Sequence, residues 1–135
     1  MSSVFDKLNL MDEPEILVLG APEGFEPEIA ALRGVTVHRR LEDMKRVPFA
    51  LAFVTRRAEI DRLWPLLLKK AHGDAVLWFA YPKGTSKKFT CDFNRDTGWD
   101  ALRESHFDSV RMIAIDADWS ALRFRRTEFI KRARR

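Results

Sequence analysis

Residues 74–88, DAVLWFAYPKGTSKK, decide the fold of this chain, because a short apolar run ends there at Pro82 and opens into a basic loop. Residues 75–81 carry aromatic and β-branched side chains without polar alternation, which is typical of a strand buried on both faces. We therefore expect a central strand. Ligands of open α/β sheets bind outside the carboxyl ends of the strands, so the loop that begins at Lys83 is where we expect a functional site.

Segments on both sides of this strand predict a sheet. Five further runs have the composition of strands, and they cover residues 15–20, 35–39, 49–55, 110–115 and 119–126. Residues 15–20 are apolar after Glu15, and residues 49–55 are apolar up to Thr55, so both should be interior strands. Residues 119–126 alternate and suit the second strand of an antiparallel hairpin. Because strands alternate with helices, we predict a mostly parallel sheet with helices on both faces.

Two helices are bounded by capping signals. Thr55 is the predicted N-cap of a helix with one apolar stripe, made by Ile60, Leu63, Trp64 and Leu67. Pro65 lies inside this helix and should kink it. A later helix is predicted to begin at Thr97, with Asp100 completing a variant of the capping box, and its inner face should carry Trp99, Leu102 and His106.

The composition fits one domain over residues 1–135, with 46% hydrophobic and 33% charged residues. Part of the net charge of +4 lies near the end, and we expect residues 127–135 to be a basic, frayed tail. Cys91 is the single cysteine, which fits a reducing compartment. No apolar run approaches the ~20 residues that span a bilayer, and the first residues lack a leader pattern, so we expect a cytoplasmic protein without membrane contact.

The loop after the central strand is the main candidate site. It mixes cations, a hydroxyl and a carboxylate, as a polar or phosphorylated small molecule requires, and the candidate residues are Lys83, Ser86, Lys88, Asp92 and Arg95. The other interpretation is a salt bridge from Asp92 to Arg95 or Lys83 that orders a long loop. Gly20 and Gly24, in the turn after the first strand, are candidates to help bind an anion with backbone N–H groups.

Several kinds of chemistry lack their signatures here. Residues 20–24 depart from a dinucleotide fingerprint, because Pro22 has no N–H and Glu23 adds a negative charge. No acidic residue follows the second strand to hold ribose hydroxyls; Arg39 and Arg40 stand there and suit a phosphate or solvent. No hydrolase, Walker, metal or paired-cysteine motif occurs. Cys91 is expected to be a buried, inert thiol, and the four tryptophans are expected to be core residues.

Five motifs resemble an uncharacterised bacterial domain family. They are A-P-E-G-F at residues 21–25, F-V-x-x-R-A-E at 53–59, L-W-x-x-x-P-K at 77–83, D-x-N-R-D at 92–96 and D-x-x-W-S-A-L-R-F at 116–124. The resemblance covers residues 8–124. It implies no established activity and names no cofactor.

The layout also resembles a reduced class I methyltransferase. A Gly-containing loop follows the first strand, a glycine precedes the central strand, and a hairpin ends the chain. The resemblance implies a Rossmann-like, three-layer domain of about six strands in the order 2-1-3-4-6-5, with strand six antiparallel. The chain departs from methyltransferases where S-adenosylmethionine would bind.

Three functions follow from these observations. The first expectation is a non-catalytic domain that binds an anionic small molecule or a partner at the strand carboxyl ends, without metal or catalytic residues. The alternative is a divergent methyltransferase-like transferase. The third is a nucleic-acid or protein adaptor that uses the basic tail, since clustered cations attract polyanions. The oligomeric state does not follow from the sequence.

Overall fold

The structure, a computed structural model, describes residues 3–130. Its six strands form one sheet in the order β2-β1-β3-β4-β6-β5. The strands are β1 (Glu15–Leu19), β2 (Thr36–His38), β3 (Phe49–Phe53), β4 (Val76–Pro82), β5 (Phe107–Ala114) and β6 (Trp119–Arg126). The first four are parallel to one another, whereas β6 runs antiparallel to β4 and β5. The predicted α/β class, strand order and terminal hairpin are confirmed.

Helices cover both faces of the sheet, as predicted. The helices are α1 (Val4–Lys7), α2 (Glu26–Ala30), α3 (Arg57–Lys70) and α4 (Asp100–Glu104), and three short 3-10 turns cover Glu23–Phe25, Leu41–Asp43 and Thr127–Phe129. One apolar core joins the sheet to α3 and α4, and a second joins it to α1 and α2. Every residue of β3 and β4 is buried, because both strands lie between these two cores.

The start of α3 differs from the prediction by one residue. Arg56, not Thr55, is the N-cap. The carboxylate of Glu59 accepts the N–H groups of Thr55 and Arg56 at 2.8 and 3.0 Å, and the Thr55 hydroxyl at 3.2 Å. A carboxylate one turn inside the helix therefore satisfies donors at the helix start, and this role does not require a capping hydroxyl. Pro65 lies within the continuous helix.

The predicted start of α4 is wrong. Trp99 is the N-cap, while the Thr97 hydroxyl donates to the side-chain oxygen of Asn94 at 3.3 Å. Trp99 is fully buried, so its packing, not local capping chemistry, fixes where the helix begins. His106 is also misplaced by the prediction: it follows the helix, is exposed and has φ of 64°.

The edge strands differ in length from the prediction. β2 is shorter, whereas β5 begins three residues earlier, at Phe107. The Phe107 ring is buried and packs edge-on against Trp64 at 4.8 Å between centroids, which explains the longer strand.

The first basic residues near the end of the chain, Arg125 and Arg126, belong to β6 and make hydrogen bonds within the fold. Arg125 binds the Asp74 carboxylate with two hydrogen bonds of 2.8 and 2.6 Å, and Arg126 donates to the carbonyls of Gly73 and Ala71. The Thr127 N–H donates to His106 O at 2.9 Å. Thr127, the first residue of the predicted frayed tail, is thus hydrogen-bonded to the fold, and residues 131–135 lie outside the described residues. Within residues 3–130 there is no helix of the length and apolarity that a membrane crossing needs.

Candidate functional site

Two clefts lie beside α3, one at its start, next to the carboxyl end of β3, and the other along its later turns, next to the ends of β1 and β2. The first, which we name the loop cleft, has a volume of about 550 Å³ and is lined by Thr55, Arg56 and residues 88–92. The second, which we name the leucine cleft, has a volume of about 480 Å³ and is lined by Leu19, Leu63 and Leu66, by Lys69 and Lys70, and by residues 39–42. Each has a smaller neighbouring cavity that shares part of its lining.

Ser86 organises the wall of the loop cleft. Its hydroxyl donates to Asp118 Oδ1 at 2.9 Å and accepts the N–H groups of Lys88 and Phe89 at 3.2 and 3.1 Å. The Lys83 N–H donates to Asp118 O at 2.8 Å. Because its hydroxyl already makes three hydrogen bonds within the protein, we assign Ser86 a structural role in the loop. Lys88 lines the cleft itself.

Asp92 joins the loop to the start of α3. Its Oδ1 accepts the Arg57 N–H at 2.7 Å, and its own N–H donates to Thr55 O at 3.3 Å. The predicted ion pair between Asp92 and Arg95 or Lys83 is wrong, since Arg95 instead lies 3.6 Å from Asp96. Asp92 therefore lies at the cleft with Oδ1 engaged by the helix.

The thiol of Cys91 lines the same cleft. Burial is the main cause that raises the pKa of this thiol above its ordinary value. A thiol with a raised pKa is a poor nucleophile near neutral pH. The prediction of a buried thiol is wrong, because Cys91 is half-buried and lines the cleft; that it is inert stays a prediction.

The leucine cleft has an apolar floor on regular elements. Leu19 ends β1, Leu63 and Leu66 belong to α3, and Leu41 opens the 3-10 turn after β2. Leu66 is 50% exposed, a large apolar side chain left open to solvent. The sequence analysis placed Leu63 on the helix stripe and did not identify Leu66 or Leu41 as site residues; the signal for Leu66 was an apolar residue outside that stripe.

Cations form the rim of the leucine cleft. The Arg39 guanidinium donates twice to the Glu26 carboxylate, at 2.9 and 2.6 Å. These hydrogen bonds lower the pKa of Glu26 and raise that of Arg39. Arg40 lies 3.6 Å from Glu42. Lys70 Nζ donates to Leu41 O at 2.9 Å and so fastens the turn to α3.

The two candidate glycines are separated from the loop candidates. Gly20 has φ of 68°, and a Cβ there would lie 2.9 Å from Phe53 O, so only glycine fits without strain. It lines the cavity of about 280 Å³ beside the leucine cleft. Gly24 and Arg95 line neither cleft.

The structure brings the other candidates to one side. Lys88 and Asp92 line the loop cleft, and Lys83 and Ser86 line the adjoining cavity of about 260 Å³. No group of three metal-ligating side chains occurs in the part of the chain that is described.

Comparison with known proteins identifies the fold. No family model and no curated protein matches the chain. Among solved structures, an S-adenosylmethionine-dependent methyltransferase from Aquifex aeolicus matches with a TM-score of 0.61 and 14% identity, over 90% of this chain and 86% of that one. The ribosomal protein L11 methylase from Lactobacillus delbrueckii subsp. bulgaricus matches with a TM-score of 0.58 and 13% identity, over 91% and 76%. The fibrillarin pre-rRNA processing protein from Methanococcus jannaschii matches with a TM-score of 0.53 and 11% identity, over 87% and 70%.

These matches correct the first functional expectation. A non-catalytic binding domain was expected, but the structures that share this fold include methyltransferases, which favours the alternative of a divergent transferase. At these identities the likeness shows a methyltransferase-like fold. The resemblance to an uncharacterised bacterial family stays a prediction.

Proposed function

We propose that this chain is a divergent methyltransferase-like transferase. The leucine cleft would hold the donor of the transferred group, and the loop cleft would hold the acceptor. The observation that carries the proposal is the position of the two openings: Phe53 and Val54 line the cavity beside the leucine cleft, and Thr55, the next residue, lines the loop cleft. Group transfer needs donor and acceptor atoms held close together, about 3–3.5 Å apart, and openings lined by consecutive residues favour such an approach.

Asp92 is the candidate general base. Its Oδ1 accepts a backbone N–H, while no hydrogen-bond partner of Oδ2 occurs among residues 3–130. This oxygen would take the proton from an acceptor O–H or N–H as the acceptor atom forms its bond to the transferred group; the bond from that group to the donor breaks, and the rest of the donor leaves with the bonding electrons. Carboxylates play this role when they lie within hydrogen-bond reach.

Lys88 and Arg56 favour an acceptor with negative charge. Both are exposed residues that line the loop cleft, and their side-chain cations have no ion-pair partner in the described part of the chain. The comparison structures include, by their names, proteins that act on a ribosomal protein or in pre-rRNA processing. Macromolecular acceptors, RNA above all, therefore belong in the acceptor panel beside small molecules.

The residues present do not fit the ordinary binding of S-adenosylmethionine. An adenosyl group needs an acceptor for its ribose hydroxyls at the end of the second strand. Here Arg39 follows β2 with its guanidinium on the Glu26 carboxylate, and Glu42, the carboxylate that lines the leucine cleft, lies 3.6 Å from Arg40. The sulfonium of the cofactor is a cation, and the rim of the leucine cleft is itself cationic. We therefore assign no step to this cofactor.

A transfer assay tests the proposal. The purified chain is incubated with isotopically labelled donors, S-adenosylmethionine and a 3′-phosphoadenylyl sulfate among them, and with RNA, protein and small-metabolite pools. We expect time-dependent labelling of one pool and a loss of about 10²-fold in Asp92→Asn, because general bases contribute about that much. The asparagine keeps an oxygen for the Arg57 N–H, so the start of α3 is preserved.

Asp96→Asn is the matched control. Asp96 lies on the same loop, is exposed and lines neither cleft, so this variant should transfer as fast as the wild type. Failure of every donor and acceptor pair to exceed heat-denatured protein would contradict the transferase proposal. Equal rates in the two variants would remove Asp92 as the base.

Two broader predictions belong to the proposal. We place the protein in the cytoplasm and treat residues 1–135 as one domain, with single-cysteine composition and one continuous sheet as support. The adaptor hypothesis rests on the basic tail, residues 127–135, which follows Arg125 and Arg126, two side chains that the fold itself engages. Residues 131–135 of this tail lie outside the described part.

A further inference from the structure

The lining of the leucine cleft specifies the class of donor. Four cations and a single carboxylate line it: Arg39, Arg40, Lys69, Lys70 and Glu42. The floor beneath them is made of leucine side chains, including the half-exposed Leu66. An apolar floor accommodates a flat ring, and a cationic rim accommodates phosphate.

Two of the cations are available to a ligand. Lys69 is exposed and has no ion-pair or hydrogen-bond partner for its amine among the described residues. Arg40 contacts Glu42 only at 3.6 Å, and both side chains are well exposed, at 68% and 72%, so this pair is weak and can open.

The other two cations are fixed in place. Lys70 is bound to Leu41 O, and Arg39 is bound to Glu26. Arg39 attracts a second anion only weakly, because the negative charge of Glu26 offsets its positive charge. The available cations, Arg40 and Lys69, therefore carry the selectivity, and Arg39 and Lys70 shape the cleft around them.

The position of the cations relative to β2 points to a particular kind of phosphate. In α/β folds that bind nucleotides at the strand carboxyl ends, an acid after the second strand holds ribose hydroxyls, and an arginine nearby accommodates a phosphate on the ribose instead. Here Arg39 and Arg40 follow β2. From this position, which rests on the proposed function because it concerns the donor of that reaction, we infer that the donor is a nucleotide with a phosphate on its ribose.

Calorimetric titration of the full chain tests the inference. The probes are adenosine 3′,5′-bisphosphate, its 2′,5′ isomer, AMP, adenosine and S-adenosylmethionine at 150 mM salt. We expect one bisphosphate to bind at least 10-fold more tightly than AMP. Arg40→Ala and Lys69→Ala should each weaken that bisphosphate about 10-fold and leave adenosine unchanged.

Two more variants test whether the ligand binds in the leucine cleft. Leu66→Asn changes an exposed residue of the floor and should weaken every adenine compound, because it makes the floor polar. Arg103→Ala removes an exposed cation of α4 that lines neither cleft and should change nothing. Unchanged bisphosphate binding in both Arg40→Ala and Lys69→Ala would overturn the inference.

The ligand series separates this inference from the transferase proposal. Adenosine or S-adenosylmethionine binding as tightly as the bisphosphates would overturn the inference, and the proposed function would stand if label were still transferred. Bisphosphates binding no better than AMP would also overturn it. Selective bisphosphate binding without any transfer would uphold the donor cleft as a nucleotide site and contradict the transferase alone.

Discussion

The leucine cleft and the loop cleft are lined by separate sets of residues, and they are built differently. The leucine cleft takes its floor from β1, a strand inside the sheet, and from α3, which packs against the sheet. The wall of the loop cleft is a long irregular segment held by a few anchors, among them Ser86 on Asp118 and Trp99 in the core. Single substitutions should therefore affect the two clefts separately.

The largest effect is expected when the main anchor of the loop cleft is removed. Trp99 is fully buried and packs against Phe79, Phe93 and Phe124 with centroids 4.8–5.6 Å away. Its Nε1 donates to Asn94 O at 2.9 Å. Trp99→Ala should lower the free energy of unfolding by ~3–5 kcal/mol, since a cavity replaces the ring. Urea denaturation followed by circular dichroism measures this.

Trp99→Phe is the control for this prediction. It keeps an aromatic ring in the core and loses the N–H donor, so its cost should be well below that of alanine. Labelling of Cys91 by a thiol reagent should accelerate in Trp99→Ala, because the wall of the loop cleft opens. If the free energy of unfolding of Trp99→Ala lay within ~1 kcal/mol of the wild-type value, Trp99 would not be an anchor of this wall.

A smaller effect is expected at the edge of the leucine cleft. Gly20 and Gly34 both have positive φ, of 68° and 71°, but only at Gly20 would a Cβ meet a backbone atom, Phe53 O at 2.9 Å. Gly34→Ala should cost ~1 kcal/mol, the strain of a left-handed residue. Gly20→Ala should cost at least about 2 kcal/mol, because the steric conflict adds to that strain.

Urea denaturation of both glycine variants compares these values directly. The same samples, titrated with a bisphosphate probe, report whether the leucine cleft also changes. Equal losses at the two positions would mean that the carbonyl of Phe53 moves aside and that β1 and β3 are less tightly joined than the structure shows.

The sequence predicted the sheet better than the clefts, and the reason is physical. An apolar run such as residues 49–53 indicates by its composition alone that the strand is buried. The handedness and length of the connections between strands then restrict the strand order. The start of α4 could not be predicted in this way, because Trp99 is held by rings on β4 and β6 that are distant in the sequence. The local capping signal at Thr97 therefore predicted the wrong first residue for this helix.

The candidate site was predicted in part for the same reason. Lys88 and Asp92 are neighbours in the sequence and line one cleft, as expected of one loop. The leucine cleft assembles Leu19, Leu41 and Leu66 from three separate elements. Only the folded sheet brings these side chains together, and each one alone resembles an ordinary core or surface leucine.

The smallest effect concerns the ion pair between Glu26 and Arg39 beside the leucine cleft. The hydrogen bonds from Arg39 lower the pKa of Glu26 in the folded state. A carboxylate with a lowered folded-state pKa stabilises the fold above its unfolded pKa, and this contribution is lost as the pH falls through the folded pKa. The melting temperature of Glu26→Gln should lie slightly below that of the wild type at pH 7, and the gap should close on acidification.

Glu28→Gln in the same helix is the matched control, because its carboxylate has no ion-pair partner among residues 3–130. It should follow the wild type across the whole pH range. Added salt should also narrow the gap of Glu26→Gln, since exposed ion pairs are screened. If the difference in melting temperature persisted unchanged in acid, Glu26 would stabilise the fold by packing. The rim of the leucine cleft would then be held in place by side-chain packing, as its floor is, and not by the charge of the ion pair.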